Sequence, residues 1–254
     1  MTNIQSFAKD GYVLLKNYFS EDETKILESS LKYLQNLPEI INGPMKYFEV
    51  LEDDKIVLNR VEKFFDYAPL AGSVFTSEKF LNTLELLTNR KFVLFKEKIN
   101  FKLAKAGGFK PHQDGAAFRK FVDDLLITAM VVVDKSTVQN GCIKILQGNY
   151  VNKLVQHQNG YILEYGDIEQ HSWVDIEMSP GDLLLFSSYL IHCSLDNSSD
   201  SPRSSYFITY SPKDYGDNRE KYFDFKRNKF PPRIERASDG DYSEWVQNLA
   251  RRII

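Results

Sequence analysis

Residues 125–133 read Leu-Leu-Ile-Thr-Ala-Met-Val-Val-Val, nine positions with a single polar side chain, Thr128. The run is far too short to span a membrane. Its β-branched content predicts a strand buried on both faces. A strand covered on both sides needs a packed layer above and below it, and the rest of the chain must supply them. Leu183–Phe186 predicts a second buried strand after the turn Pro180-Gly181-Asp182, and Ser205–Tyr210 a third. Gly141–Leu146 predicts a fourth, entered through a turn at Asn140-Gly141. Residues 92–103 alternate: Phe95, Ile99, Phe101 and Leu103 are apolar, while Lys96, Lys98, Asn100 and Lys102 are polar. Taken alone, that pattern describes a half-buried strand whose polar face is solvated.

Helices are predicted mainly in the first third. A short helix leads into a strand within residues 1–18. Ser20-Glu21-Asp22-Glu23 is a capping box, followed by Leu27, Leu31 and Leu34 on one helical face and a stop before Pro38. Phe80, Leu81, Leu84 and Leu87 predict a second helix over 77–88. Shorter strands are expected at Tyr47–Glu49, Ile56–Asn59, Tyr161–Glu164 and Ser172–Ile176. A final helix is expected from Asp241, with Glu244 completing its cap and Trp245, Leu249 and Ile253 as its apolar stripe. These helices are scaffold, placed to buttress the outside of a β-sandwich.

The chemistry is carried by Pro111-His112-Gln113-Asp114 and by His192, 80 residues after His112. At the end of a strand, the i, i+2 spacing of His112 and Asp114 points both side chains to one face. His192, following the core strand Leu183–Phe186, supplies a third donor. Two imidazoles and one carboxylate leave three positions open on an octahedral metal, the facial arrangement of non-haem Fe(II) oxygenases. A lone His-x-Asp arises often by chance; here its weight comes from the residues around it. Arg203 follows His192 by eleven positions, and its planar guanidinium can grip a carboxylate through two parallel hydrogen bonds. His157 and His171 sit in no ligand-type motif and are expected to be surface or capping residues.

These motifs resemble the phytanoyl-CoA dioxygenase family of Fe(II)/2-oxoglutarate oxygenases. The resemblance rests on His112-Gln113-Asp114, His192-Cys193-Ser194, Arg203, Asn140-Gly141-Cys142 and the opening Phe7, Asp10-Gly11-Tyr12-Val13. It covers residues 5–212. It implies a mainly β fold with flanking helices, a double-stranded β-helix (jelly roll), as a single domain over 1–254 with residues 213–254 as a C-terminal extension. It also implies Fe(II) on His112, Asp114 and His192, with 2-oxoglutarate and O2 as co-substrates. Arg203 would pair with the far carboxylate of 2-oxoglutarate, with Ser194 or Asn100 assisting and Lys98 a further candidate. The implied reaction hydroxylates an unactivated C–H bond and releases succinate and CO2. Family halogenases replace the carboxylate ligand with a small residue, and Asp114 is present, so hydroxylation is expected.

Composition sets the surroundings. The chain of 254 residues is 43% hydrophobic and 26% charged with a net charge of −3, as in an ordinary globular enzyme without a general case for nucleic acid or membrane binding. Eighteen Phe and fourteen Tyr suit an aromatic-lined pocket. Two cysteines, Cys142 and Cys193, read as small buried thiols, and with no secretory segment the expected location is cytoplasmic. The basic, aromatic tail (Arg219, Lys221, Lys226, Arg227, Lys229, Arg233, Arg236) reads as a packing or homodimer surface. From Arg90 to Lys120, nine cations face two acids, a formal +7 around the metal triplet. This favours a small anionic or zwitterionic substrate of amino-acid or organophosphonate type, with Asp123 or Asp124 available to an amine. An acyl-CoA or natural-product substrate is the alternative within the class. Outside it stand a zinc hydrolase on the same ligands, which would leave Arg203 idle, and a non-catalytic sensor of metal and 2-oxoglutarate.

Overall fold

The computed structural model describes residues 3–51, 53–148, 150–157, 162, 170–242 and 253. Helix α1 (Asn3–Asp10) runs into β1 (Tyr12–Leu15), and α2 (Glu21–Asn36) follows its capping box. Ser20 Oγ accepts from Glu23 N at 3.2 Å, and the Glu23 carboxylate accepts from Ser20 N at 2.8 Å. Strands β2 (Met45–Val50) and β3 (Ile56–Glu62) precede α3 (Pro69–Phe75) and α4 (Glu78–Thr88). Then come β4 (Phe92–Lys102), β5 (Phe109–His112), the single turn α5 (Gly115–Phe118), β6 (Ile127–Val132) and β7 (Ile143–Leu146). Strands β8 (Trp173–Ile176), β9 (Leu183–Ser187), β10 (His192–Ser194) and β11 (Arg203–Pro212) lead to α6 (Arg219–Lys229).

Among the described residues, seven strands form the larger sheet in the order β1-β9-β6-β11-β4-β3-β2, and four form the smaller in the order β5-β10-β7-β8. Every pairing is antiparallel. This is the jelly-roll arrangement of two facing sheets. Strand β6 lies between β9 and β11 with all six residues buried, as the apolar run 125–133 predicts. On the outer face of the larger sheet, Leu31, Leu34, Phe75, Phe80 and Leu84 from α2–α4 pack on Val61, Ile99, Tyr206 and Tyr210. Phe75 is fully buried and rings with Phe65, Phe80 and Tyr206, so its truncation to Ala costs about 3–5 kcal/mol. Between the sheets, Met130, Val132, Leu184 and Phe186 meet Ile143, Ile145 and Ile176.

The polar face of β4 is not solvated, in keeping with the Asn100 and Lys98 roles that the resemblance implies: Lys96, Asn100 and Lys102 are 7%, 6% and 2% exposed. Strand β4 is internal, flanked by β11 and β3, so that face looks into the space between the sheets. A bulge opposite Thr209/Tyr210 also breaks the alternation, moving Phe95 away from Ile99 and Phe101 into a separate cluster with Met45, Phe118, Tyr222 and Phe223. The segment Ala106-Gly107-Gly108 between β4 and β5 is closely packed. A Cβ on Gly108 would fall on the Ser194 carbonyl, and Gly108 N donates to the Asp196 carboxylate.

The basic tail packs on its own chain. Arg219 pairs with the buried Glu97, and Lys226 with the buried Glu62. The final helix from Asp241 and most of the Tyr161–Glu164 strand lie outside the described residues. Cys142 and Cys193 are free and buried. Among the described residues no helix is long and apolar enough to cross a membrane.

Candidate active site

Strands β5 and β10 pair so that His112 and His192 stand directly opposite one another, their ring centroids 4.3 Å apart. Asp114 is not on a strand. The chain leaves β5 at His112, and Asp114 takes helical φ/ψ (−57°, −35°) at the start of α5, its carboxylate making no capping bond to that turn. The side chain therefore returns toward the imidazoles, with Asp114 Oδ1 3.8 Å from His112 Nε2. One donor atom from each of His112, Asp114 and His192 lies within 4.8 Å of the others.

Each member is oriented by a backbone or buried partner. His112 Nδ1 donates to the Lys110 carbonyl at 2.7 Å, and His192 Nδ1 to the Leu190 carbonyl at 2.9 Å. Both bonds fix the tautomer and leave the Nε2 lone pairs free for a metal. Thr128 Oγ1 donates to Asp114 Oδ2 at 3.3 Å and is itself 3.2 Å from Thr209 Oγ1. Between His112 and Asp114, the Gln113 amide donates to the Lys153 and Tyr189 carbonyls and accepts from Val155 N at 2.9 Å. His157 Nε2 accepts from Gln113 N at 3.3 Å, a capping role as expected. Burial and the adjacent His192 push the His112 imidazole down to about 3, against the pull of Asp114. Burial alone would raise Asp114, but the charges of His192, His112 and Lys98 outweigh it and hold the carboxyl at about 2. A neutral imidazole and an ionised carboxylate are the states a divalent metal requires. The donor set thus fits Fe(II).

The triad lies in a cleft of about 420 Å³ lined also by Lys98, Asn100, Ser194 and Arg203, all four sequence-predicted residues, and by Phe109, Ile143, Cys193 and Phe207. Arg203 is 2% exposed and directly opposite Lys102 in the β11–β4 ladder. Lys102 Nζ donates to Ser194 Oγ at 2.9 Å and to the Leu195 carbonyl, so a second buried cation stands behind Ser194. Asn100 Oδ1 is buried without a hydrogen-bond partner, an amide waiting for a polar ligand. Burial first, then Lys96, bring the Lys98 ammonium down to about 7. Burial drives the Cys193 thiol up to about 12, which removes it as a nucleophile. An Arg and a Ser backed by Lys in one cleft, beside an Asn whose amide N–H groups can donate, fit a dicarboxylate such as 2-oxoglutarate.

Asp123 and Asp124 are not in this cleft. Arg90 holds Asp124 through two hydrogen bonds of 3.0 and 3.1 Å, and Arg119 pairs with Asp123 on the surface. The sequence reading of either as an amine contact is corrected. Sequence reasoning also missed Thr128, Lys102 and Gln113. The one available signal was Thr128, the lone polar residue in its apolar run.

The family model for phytanoyl-CoA dioxygenase (PhyH) matches residues 7–205. The chain belongs to the phytanoyl-CoA dioxygenase family. Within it, 2-aminoethylphosphonate dioxygenase of Uncultured bacterium HF130_AEPn_1 is 37% identical over 96% of this chain and 94% of that protein. Methylphosphonate hydroxylase of Gimesia maris is 31% identical over 90% of this chain and 87% of that protein. The crystal structure of EctD from S. alaskensis, solved with 2-oxoglutarate and 5-hydroxyectoine, superposes with a TM-score of 0.68 at 20% identity, over 84% of this chain and 76% of that one. The family member described here is an Fe(II)- and 2-oxoglutarate-dependent dioxygenase acting as a hydroxylase on a small molecule.

Proposed function

We propose that His112, Asp114 and His192 hold Fe(II), that Arg203 anchors the far carboxylate of 2-oxoglutarate with Ser194 and Asn100 assisting, and that the enzyme hydroxylates a small anionic or zwitterionic metabolite of organophosphonate or amino-acid type. The observation that carries this reading is the convergence of the triad, Arg203 and Ser194 on one cleft. When bound, iron and 2-oxoglutarate supply the oxidising power, drawn from O2, with succinate and CO2 released. The chain's own residues do the rest. The Lys110 and Leu190 carbonyls keep both imidazoles in the ligating tautomer, and Thr128 orients Asp114. Phe109, Ile143 and Phe207 exclude water from the cleft, and Arg203 sets the register of the co-substrate. Lys98 lies two positions beyond Asn100 along β4, toward Asp114, and serves the substrate side of the cleft.

Two relatives of 37% and 31% identity named for phosphonates support the substrate class, as does the concentration of cations along β4. A cytoplasmic location accompanies this reading, supported by the two free thiols. The test combines metal analysis with O2 uptake and succinate release on a panel of 2-aminoethylphosphonate, β-alanine, an acyl-CoA and a neutral terpenoid. Stimulation by the aminophosphonate is expected, and stimulation by the terpenoid alone would overturn the substrate class. Arg203→Ala should raise the 2-oxoglutarate requirement about 30-fold or more while leaving the iron requirement near its original value. Identical 2-oxoglutarate titrations in parent and variant would refute the anchor.

A further inference from the structure

The inner face of β4 carries more than a co-substrate site. From Lys102 and Asn100 it continues to Lys98 and then Lys96, at the end of the strand remote from Arg203. Strand β3 places Arg60 opposite Asn100 and Glu62 opposite Lys98, so these side chains share that face. Helix α6 adds Lys226, whose ammonium is bonded to Glu62. Four cations, Arg60, Lys96, Lys98 and Lys226, thus surround one acid. Glu62 is committed to Lys226, with Arg60 Nη1 a further 3.7 Å from its other oxygen. Arg60 Nε is tethered to Asn59 Oδ1 at 3.2 Å.

Lys96 and Lys98 have no carboxylate to themselves. Among the described residues neither forms a hydrogen bond or a salt bridge, and both rest on aromatic faces. Lys96 Nζ lies 4.8 Å from the Phe118 ring and 5.5 Å from the Tyr222 ring, and Lys98 Nζ lies 4.9 Å from the Phe207 ring. Ring faces offset only part of the cost of taking an ammonium out of water. Lys96 is 7% exposed, and Lys98 lines the same cleft as Asp114. Two same-face lysines with an arginine beside them make a cationic cluster at the end of β4 remote from Arg203, with Lys96 level with Thr128 across β11 and Lys98 reaching the cleft. A monoanion leaves such a cluster with excess charge, whereas a tetrahedral dianion offers three acceptor oxygens to three donors.

We infer that Lys96, Lys98 and Arg60 form the subsite that grips the dianionic headgroup of the substrate, so that the enzyme distinguishes a phosphonate from a carboxylate of the same length. This assignment rests on the proposed function above. Strand β4 then holds the two anions of the reaction at opposite ends of one face, with the reacting carbon between them beside Asp114.

The test is anaerobic calorimetry on the iron-loaded protein. 2-Oxoglutarate is titrated first, then 2-aminoethylphosphonate or β-alanine, which share an amine and a chain length and differ in headgroup charge. The parent should prefer the phosphonate. Lys96→Met should lower phosphonate affinity on the order of 30-fold or more, β-alanine affinity by much less, and 2-oxoglutarate affinity not measurably. Lys96→Arg, which keeps the charge, should retain most of the phosphonate affinity. Lys96→Met removes a buried ammonium that forms no ion pair but adds to the field on Glu62, and because these effects oppose, its urea midpoint without ligand should stay close to the parent's. Equal losses for the two headgroups, or a destabilised variant, would show Lys96 to be structural and overturn the subsite. A parent that binds 2-oxoglutarate but neither amine ligand overturns the headgroup assignment alone. A parent that fails to bind 2-oxoglutarate overturns the function on which it rests.

Discussion

Thr128 is the residue on which sequence and chemistry meet. It is fully buried as the second residue of β6, and its hydroxyl reaches the Asp114 carboxylate. A hydroxyl in an apolar strand is unfavourable unless bonded, and here it bonds the Asp114 carboxylate that we propose as an iron ligand. Thr128→Val keeps shape and strand preference and removes the hydroxyl that bonds Asp114 and Thr209. Iron affinity should fall about 10- to 100-fold with little change in circular dichroism. An unchanged iron titration would show that Asp114 is positioned by the α5 turn alone.

At the scale of elements, the site depends on how closely β5 and β10 approach. Gly108 sits where a Cβ would strike the Ser194 carbonyl, and Gly141, at φ +71°, lies against the Leu195 carbonyl. Gly108→Ala should push β5 away from β10 and part the facing imidazoles. Its expected signature is an iron affinity reduced at least about 10-fold while the near-UV spectrum of the larger sheet's aromatic core is kept. Retained iron affinity would mean that the strands accommodate the methyl elsewhere. The strands β6, β9 and β11 and the capped α2 were legible in the sequence because each is a local pattern, and the meeting of His112, Asp114, His192 and Arg203 on one cleft was legible through the family resemblance. The burial of Lys96 and Lys102, the switch of Phe95 to another cluster and the docking of α6 were not. Each is decided by which strand lies beside β4, and that information is spread over more than a hundred residues. Asp123 and Asp124 misled for the same reason, since their partners Arg90 and Arg119 were visible only as part of a basic stretch.

At the scale of the whole molecule, buried charge shapes the response to pH. His112 titrates near 3 in the folded protein against about 6.5 when exposed, so between these values the unfolded chain alone takes up the proton. Glu62, which burial would raise, is held at about 2 by Lys226, Lys96 and Arg60, and the stability it contributes is lost as pH falls from 4.5 toward 2. Both effects weaken the metal-free protein in acid. On the alkaline side Lys98 and Lys226, lowered chiefly by burial, titrate near 7 instead of 10.5. Between those values the unfolded state binds more protons, so stability rises with pH. The urea midpoint of the metal-free protein should therefore climb from pH 5 to pH 9. A midpoint that falls between pH 7 and pH 9 would contradict the strain assigned to these ammoniums.

The cross-strand pair His112–His192 has a mechanical consequence. It joins two of the shortest strands, β5 with four residues and β10 with three, and their register slips between His192 and Ser194. So few ladder bonds leave this pair the natural place for the smaller sheet to open. An ion gripping both imidazoles would bolt the two strands together at their widest exposure to opening, acting as a rivet as well as a reagent. Hydrogen exchange should report it: iron should slow the amides of residues 109–112 and 192–194 far more than those of β6 or β9. Uniform slowing across both sheets would show instead that the metal tightens the molecule as one body.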